Sequence, residues 1–232
     1  MTYLYKIMAA GLLLFLPLCG EAEDISTVTV EKDGKMVETT ALPAPTAGEG
    51  WIPKKVKRQS SLQEENPEIR SALISYFADS TMDSSDMSYT CSLVDLDGDG
   101  TEEALILLSG PDTDKDGSPM LLILRPSEEG WTVGQEIMSF PGTLFIPERG
   151  KKAGAGLLPI YFETIDENGQ GAVRKLVPAD GLYPPVANGE MTDTTSKAYK
   201  KMKGTAYFCG ENKKKETVKW FSLRDGGVVS NR

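Results

Sequence analysis

The chain contains no histidine. That absence removes Ser-His-Asp and Cys-His catalysis, and with them His-ligated zinc and iron centres. Cysteine is nearly as scarce, at three. Three thiols with no histidine do not build a closed Cys-rich zinc site. Any resident metal must therefore be held by oxygen, which selects a hard cation such as calcium or magnesium. Basic charge is in deficit: the formal net charge is −9, so nucleic acid is an unfavourable partner for the chain as a whole. Long apolar runs are missing beyond the first, so no later segment is apolar enough to cross a bilayer as a helix.

That first run sets the expected compartment. Met1–Lys6 carries a basic side chain, and Ile7–Leu18 is continuously uncharged and mostly apolar. The run is too short to span a bilayer but suits the core of a signal peptide. Small residues at Gly20 and Ala22 predict cleavage after Ala22, leaving residues 23–232 in a periplasmic or secreted protein. The alternative is lipid attachment at Cys19, where Leu16–Gly20 is similar to a lipobox except for Leu18 at a position that is usually small. In an oxidising compartment Cys91 and Cys209 have one pairing available, so the sequence predicts either a Cys91–Cys209 disulfide or two buried thiols.

Three regions follow. Residues 23–60 read as a hairpin (Ser26–Thr40, turning at Asp33-Gly34) and a Pro/Ala/Gly linker ending in the basic run Lys54–Arg58. Residues 61–232 read as one β-rich domain. Its one clear helix runs over Pro67–Ala78, with Asn66 as N-cap and Ile69, Leu73, Ile74 and Phe77 on one face, placed to cover a sheet. Strands are expected at Tyr89–Val94, Ala104–Leu108, Met120–Leu124, Trp131–Ile137, Leu157–Ile165, Val173–Val177, Thr205–Cys209 and Val218–Leu223. The fold class is thus mainly β: antiparallel sheets arranged as a sandwich, a meander or propeller-like blades, plus one covering helix.

The sharpest feature is Asp95-Leu96-Asp97-Gly98-Asp99-Gly100-Thr101-Glu102-Glu103. Acids fall at positions 1, 3, 5 and 9 of the loop. Alternate residues of a tight loop point inward, and the glycines permit the wrap. Converging carboxylates repel unless a cation lies among them. Calcium accepts six to eight oxygens in irregular geometry, and the Thr101 carbonyl offers a neutral ligand at position 7. The bland reading is an Asp/Gly turn that binds nothing. Local charge favours the metal: from Ser71 to Asp114 there are ten acids and no lysine or arginine.

Position 12 of the loop is Ile106 rather than a bidentate glutamate, and the flanks read as strands, so this is not an EF-hand. Val94–Leu107 (VDLDGDGTEEALIL) instead resembles the calcium loop of FG-GAP/VCBS-type β-propeller repeats, found in integrin heads and many exported bacterial proteins. The resemblance extends over residues 89–137. It implies Ca2+ held by the side chains of Asp95, Asp97, Asp99 and Glu103 and by the carbonyl of Thr101. One or two blade-like units do not make a closed propeller, which needs about four.

Two further loops echo the pattern. Asp112–Gly117 repeats the 1-3-5 spacing with Lys115 among the acids and reads as a hairpin connection. At an offset of 71 residues, Ile165–Gly171 aligns with Val94–Gly100, but Gln170 replaces Asp99 and Arg174 replaces Glu103. This is either a degenerate second blade without its metal or a chance likeness of two turns. Gly154-Ala155-Gly156 lacks the spacing of a phosphate loop. From Lys197 to Lys219 eight lysines stand against two glutamates, a polar face or a surface for an acidic partner.

The acids cluster as ligands rather than as a pair with divergent environments. The expectation is therefore a non-enzymatic, calcium-braced exported module that binds an envelope protein or surface glycan, or is structural. The alternative is a carboxylate-based, glycosidase-like hydrolase, which needs no histidine.

Overall fold

The computed structural model describes residues 27–32, 35–40, 49–78, 80, 82–111, 113, 118–150, 154–165, 171–210 and 216–229. The expected leader with Cys19, the Asp33-Gly34 turn, most of the linker, the acids of Asp112–Gly117 and residues Asp166–Gln170 lie outside them. The chain divides into two compact units, Met1–Thr46 and Ala47–Arg232. In the first, β1 (Thr27–Lys32) pairs antiparallel with β2 (Lys35–Thr40), with Thr27 opposite Thr40.

The larger unit holds two six-stranded sheets. In chain order its elements are β3 (Lys57–Arg58), α1 (Pro67–Ala78), β4 (Ser88–Val94), β5 (Glu103–Ser109), β6 (Met120–Ser127), β7 (Gly130–Ile137), β8 (Leu144–Pro147), β9 (Ile160–Ile165), β10 (Gly171–Leu176), β11 (Glu190–Met191), α2 (Lys197–Lys200), β12 (Gly204–Tyr207), β13 (Phe221–Ser222) and β14 (Gly227–Val228). The first sheet has the order β14-β13-β4-β5-β6-β7, and the second β11-β10-β9-β8-β12-β3. Pairing is antiparallel except for β3 with β12, which is parallel. The fold is therefore mainly β, with α1 as the covering helix.

Strand periodicity explains how the two sheets pack. The run Ala104–Leu108 is continuously apolar because both of its faces are covered. Leu105 and Leu107 enter a central core with Leu121, Ile123 and Ile137 from the first sheet and Leu144, Ile146, Ile160 and Phe162 from the second. Phe140 and Phe162 meet there with ring centroids 5.1 Å apart. The alternate residues Ala104, Ile106 and Leu108 enter an outer core beneath Ile69, Leu73 and Phe77 of α1. A third cluster, with Ile52, Phe145, Tyr161 and Tyr199, covers the outer face of the second sheet.

The helix begins as expected, with the Asn66 side-chain oxygen accepting from the Glu68 and Ile69 N–H groups at 3.0 and 3.3 Å. Ile74 departs from expectation and is 41% exposed. Ile69, Leu73 and Phe77 follow a spacing of four that carries the buried stripe past it. The strand expected at Thr205–Cys209 stops at Tyr207 because Phe208 adopts φ 55°, which breaks the extended backbone. Residues 49–60 belong with the larger unit rather than with a linker, since Ile52 and Ser60 are buried and β3 joins the second sheet.

Cys91 and Cys209 are free and buried. Cys91 lies in the cluster under α1 and Cys209 in the cluster outside the second sheet, so the central core separates them. The expected Cys91–Cys209 disulfide is not formed, and the buried-thiol alternative holds. Burial pushes the Cys91 thiol up to about 12 and the Cys209 thiol up to about 11.

Candidate metal centre

The hairpin β4–β5 places the acidic loop. Val94 and Glu103 are the last paired residues, so 95–102 must reverse the chain beyond the sheet. Leu96 anchors the reversal by turning into the central core, where it is fully buried. The residues on either side of it, Asp95 and Asp97, then face away from that core. Gly98 and Gly100 take φ +80° and +90°, a region that residues with a Cβ enter only at a cost.

Backbone amides hold the carboxylates in place. Asp95 Oδ1 accepts from Gly98 N–H at 2.7 Å, and its Oδ2 from Gly100 N–H at 3.2 Å. Asp97 Oδ1 accepts from Asp99 N–H at 3.1 Å, and Asp99 Oδ1 from Thr101 N–H at 2.6 Å. The result brings one carboxylate oxygen from each of Asp95, Asp97 and Asp99 within 4.8 Å of one another. Asp95 and Asp99 are exposed and Asp97 half-buried.

Glu103 occupies a different environment. The residue is 3% exposed, and Oε2 accepts from Leu96 N–H at 2.8 Å. Burial raises its pKa above the usual carboxylate range, with the nearby charge of Asp97 pushing the same way. The Leu96 amide opposes that rise without cancelling it. Thr101 is exposed at the end of the loop, and its N–H is committed to Asp99.

A cation from the other sheet braces the loop from behind. Arg149, in the β8–β9 connection, donates through Nη2 to the carbonyls of Leu96 (3.3 Å) and Gly156 (2.7 Å), and through Nη1 to that of Gly154 (2.6 Å). Its guanidinium lies so close to Gly98 that a Cβ there would sit 2.3 Å from Nε. Gly156 N–H donates to the Asp97 carbonyl at 2.8 Å and Leu158 N–H to the Leu96 carbonyl at 3.1 Å. The segment Gly154–Gly156 thus ties the acidic loop to the second sheet. Nothing around Arg149 in the sequence marks it for this role, since the partners it bonds are carbonyls that carry no residue signature.

The matched later loop connects β9 and β10, a hairpin like β4–β5. Arg174 donates from Nη1 to the Gly189 carbonyl at 2.9 Å.

No protein-family model matches the chain, and no curated protein or solved structure matches it significantly. Among the described residues no helix is long and apolar enough to cross a membrane.

Proposed function

We propose that Asp95–Glu103 is a Ca2+ site that braces the sandwich of an exported, non-enzymatic module. The observation carrying this reading is the convergence of the Asp95, Asp97 and Asp99 carboxylates within 4.8 Å in an exposed loop. Three such groups repel one another, and a divalent cation between them turns that repulsion into attraction. Oxygen donors without nitrogen or sulfur suit a hard cation, and an irregular loop suits calcium better than octahedral magnesium. The FG-GAP/VCBS resemblance would add Glu103 and the Thr101 carbonyl to the set; Glu103 stands outside the converging group, with Oε2 on Leu96 N–H. On this reading the consecutive antiparallel meander β4–β5–β6–β7 is a single propeller-type blade, and β9–β10 is the remnant of a second, with Arg174 of β10 at the aligned position of Glu103. Export to the periplasm or cell surface supplies calcium at millimolar concentration and places a protein or glycan partner within reach.

The hydrolase alternative draws on one feature, a buried Glu103 with a raised pKa near the half-buried Asp97. A general acid must touch its substrate, and a buried glutamate with one oxygen held by Leu96 N–H is poorly placed to do so. The structural role is therefore preferred.

Melting curves in calcium and in chelator test the metal. With a dissociation constant of about 0.1 mM, typical of extracellular modules, 1 mM calcium adds about 1.4 kcal/mol. For a domain of this size that corresponds to a rise of roughly 3–5 °C. Asp97→Ala with Asp99→Ala should abolish the rise. A wild-type protein that melts identically in calcium and chelator would refute the site.

A further inference from the structure

Two basic runs that are far apart in sequence come together in the fold. Parallel pairing sets Thr205 opposite Lys57 and Ala206 opposite Arg58, which brings the 54–58 run alongside the start of β12. Between these strands and the acidic loop lies a cleft of about 410 Å³. Lys55, Lys57 and Lys203 line it together with Arg149, while Asp95 and Glu148 supply the carboxylates. Arg149 is committed to backbone carbonyls. The three lysines are exposed, and among the described residues none of them forms an ion pair.

We infer that this cleft binds an anionic saccharide, a short uronate-bearing glycan, and that calcium in the neighbouring loop strengthens the binding. Three exposed lysines on the walls of one cleft, none in an ion pair among the described residues, favour an anion there even though the chain as a whole is acidic. The concave shape and modest volume fit a small ligand rather than a flat membrane surface. Glu148 and the Thr205 hydroxyl offer acceptors on the same walls. Sugar hydroxyls satisfy these by donating, whereas an anion that only accepts would be repelled by Glu148. Asp95 belongs to both the cleft wall and the acidic cluster. A cation on Asp95 removes a negative charge from the cleft, so anion and cation binding are positively coupled, and reciprocally so. The coupling rests on the metal reading; the anion site does not.

The test uses digalacturonate as probe, cellobiose as its neutral counterpart and phosphatidylglycerol vesicles as the membrane control, each with the full soluble chain in 1 mM calcium and in chelator. Titration calorimetry should give digalacturonate binding that calcium tightens by about threefold or more, with no heat from cellobiose and no vesicle co-sedimentation. Lys57→Ala with Lys203→Ala should weaken digalacturonate at least about tenfold, the loss expected for two charge-assisted contacts. Its melting temperature should be unchanged, since both side chains are exposed, and Lys57→Arg with Lys203→Arg should restore binding. Absence of digalacturonate binding while calcium still raises the melting temperature would overturn this inference and leave the metal site standing. Digalacturonate binding unaffected by calcium, in a protein whose melting temperature calcium does not move, would overturn the coupling together with the metal site. Equal binding of cellobiose, or binding to vesicles alone, would overturn the anionic-saccharide assignment.

Discussion

Gly98 and Gly100 share a left-handed backbone but differ in surroundings, and the difference can be measured. At Gly100, φ is +90° and a Cβ would meet nothing within 4 Å. Gly100→Ala therefore costs backbone strain alone, about 1 kcal/mol. At Gly98 the same strain applies, but a Cβ would also lie 2.3 Å from Arg149 Nε and 2.6 Å from its Cζ. The guanidinium must move and release the Leu96, Gly154 and Gly156 carbonyls. Hydrogen bonds from a charged donor are worth roughly 1.5–3 kcal/mol each when buried, and less at this partly exposed site, so their combined loss is taken as about 2 kcal/mol. Gly98→Ala should then cost about 3 kcal/mol in all, against about 1 for Gly100→Ala. Urea unfolding in chelator keeps metal binding out of the comparison. In an Arg149→Ala background the Gly98→Ala penalty should fall to that of Gly100→Ala, because only strain remains. Equal penalties for the two glycines, or a cycle with no coupling between residues 98 and 149, would refute the brace.

Three other outcomes follow from particular side chains. Thr90 is fully buried with no partner for Oγ1 among the described residues, so Thr90→Val should stabilise the protein by about 1 kcal/mol in urea unfolding. Cys91 and Cys209, buried with raised thiol pKa values, should resist iodoacetamide in the native protein at pH 8 and both react in urea without reductant, as peptide mapping would reveal. Glu103 has a folded pKa raised above its unfolded value near 4.3, so its stabilising contribution is complete below that value and lost as pH rises through the folded value; in chelator, wild type should lose stability relative to Glu103→Gln as pH rises above about 4.3, which paired melting curves would detect.

The hairpins and the helix were legible because their signals are local. Asn66-Pro67 fixes the start of α1, and the acidic loop between apolar runs fixes the β4–β5 reversal. Register follows from period-2 burial in Ala104–Leu108, although the sequence alone does not say what covers each face. The short elements were not legible. β8 (Leu144–Pro147) has only four residues between Pro141 and Glu148, and β3 has two, both exposed. Such strands exist because partners far along the chain supply the hydrogen bonds. The same holds for the candidate site. Asp95, Asp97 and Asp99 are grouped by spacing alone, whereas Glu103 turned inward to Leu96 N–H, a contact decided by the burial of the first β5 residue. Arg149 and the lysine cleft depend on contacts between segments far apart in the chain, Arg149 with Leu96 and Lys57 with Thr205, and carry no local pattern.

The position of the acidic loop would give a bound cation leverage over the contact between the two sheets. The two sheets share one apolar core, but apolar packing does not fix the sliding of one sheet over the other. Directional contacts do, and at this end they are Gly156 N–H to Asp97, Leu158 N–H to Leu96, and the Arg149 fork. All of them reach the backbone of residues 96–97, whose neighbours carry the converging carboxylates. Repulsion among those carboxylates therefore acts on the same peptide units that hold the second sheet. A bound cation would relieve it and stiffen the contacts between the sheets, not merely the loop. Along another edge, the strap 59–62 joins the sheets through Cys209 N–H to Gln59, Phe208 N–H to Ser60 and Leu62 N–H to Cys91, with no acid taking part. That connection is formed from backbone alone, whereas the one at residues 96–97 would respond to an ion bound by the neighbouring carboxylates.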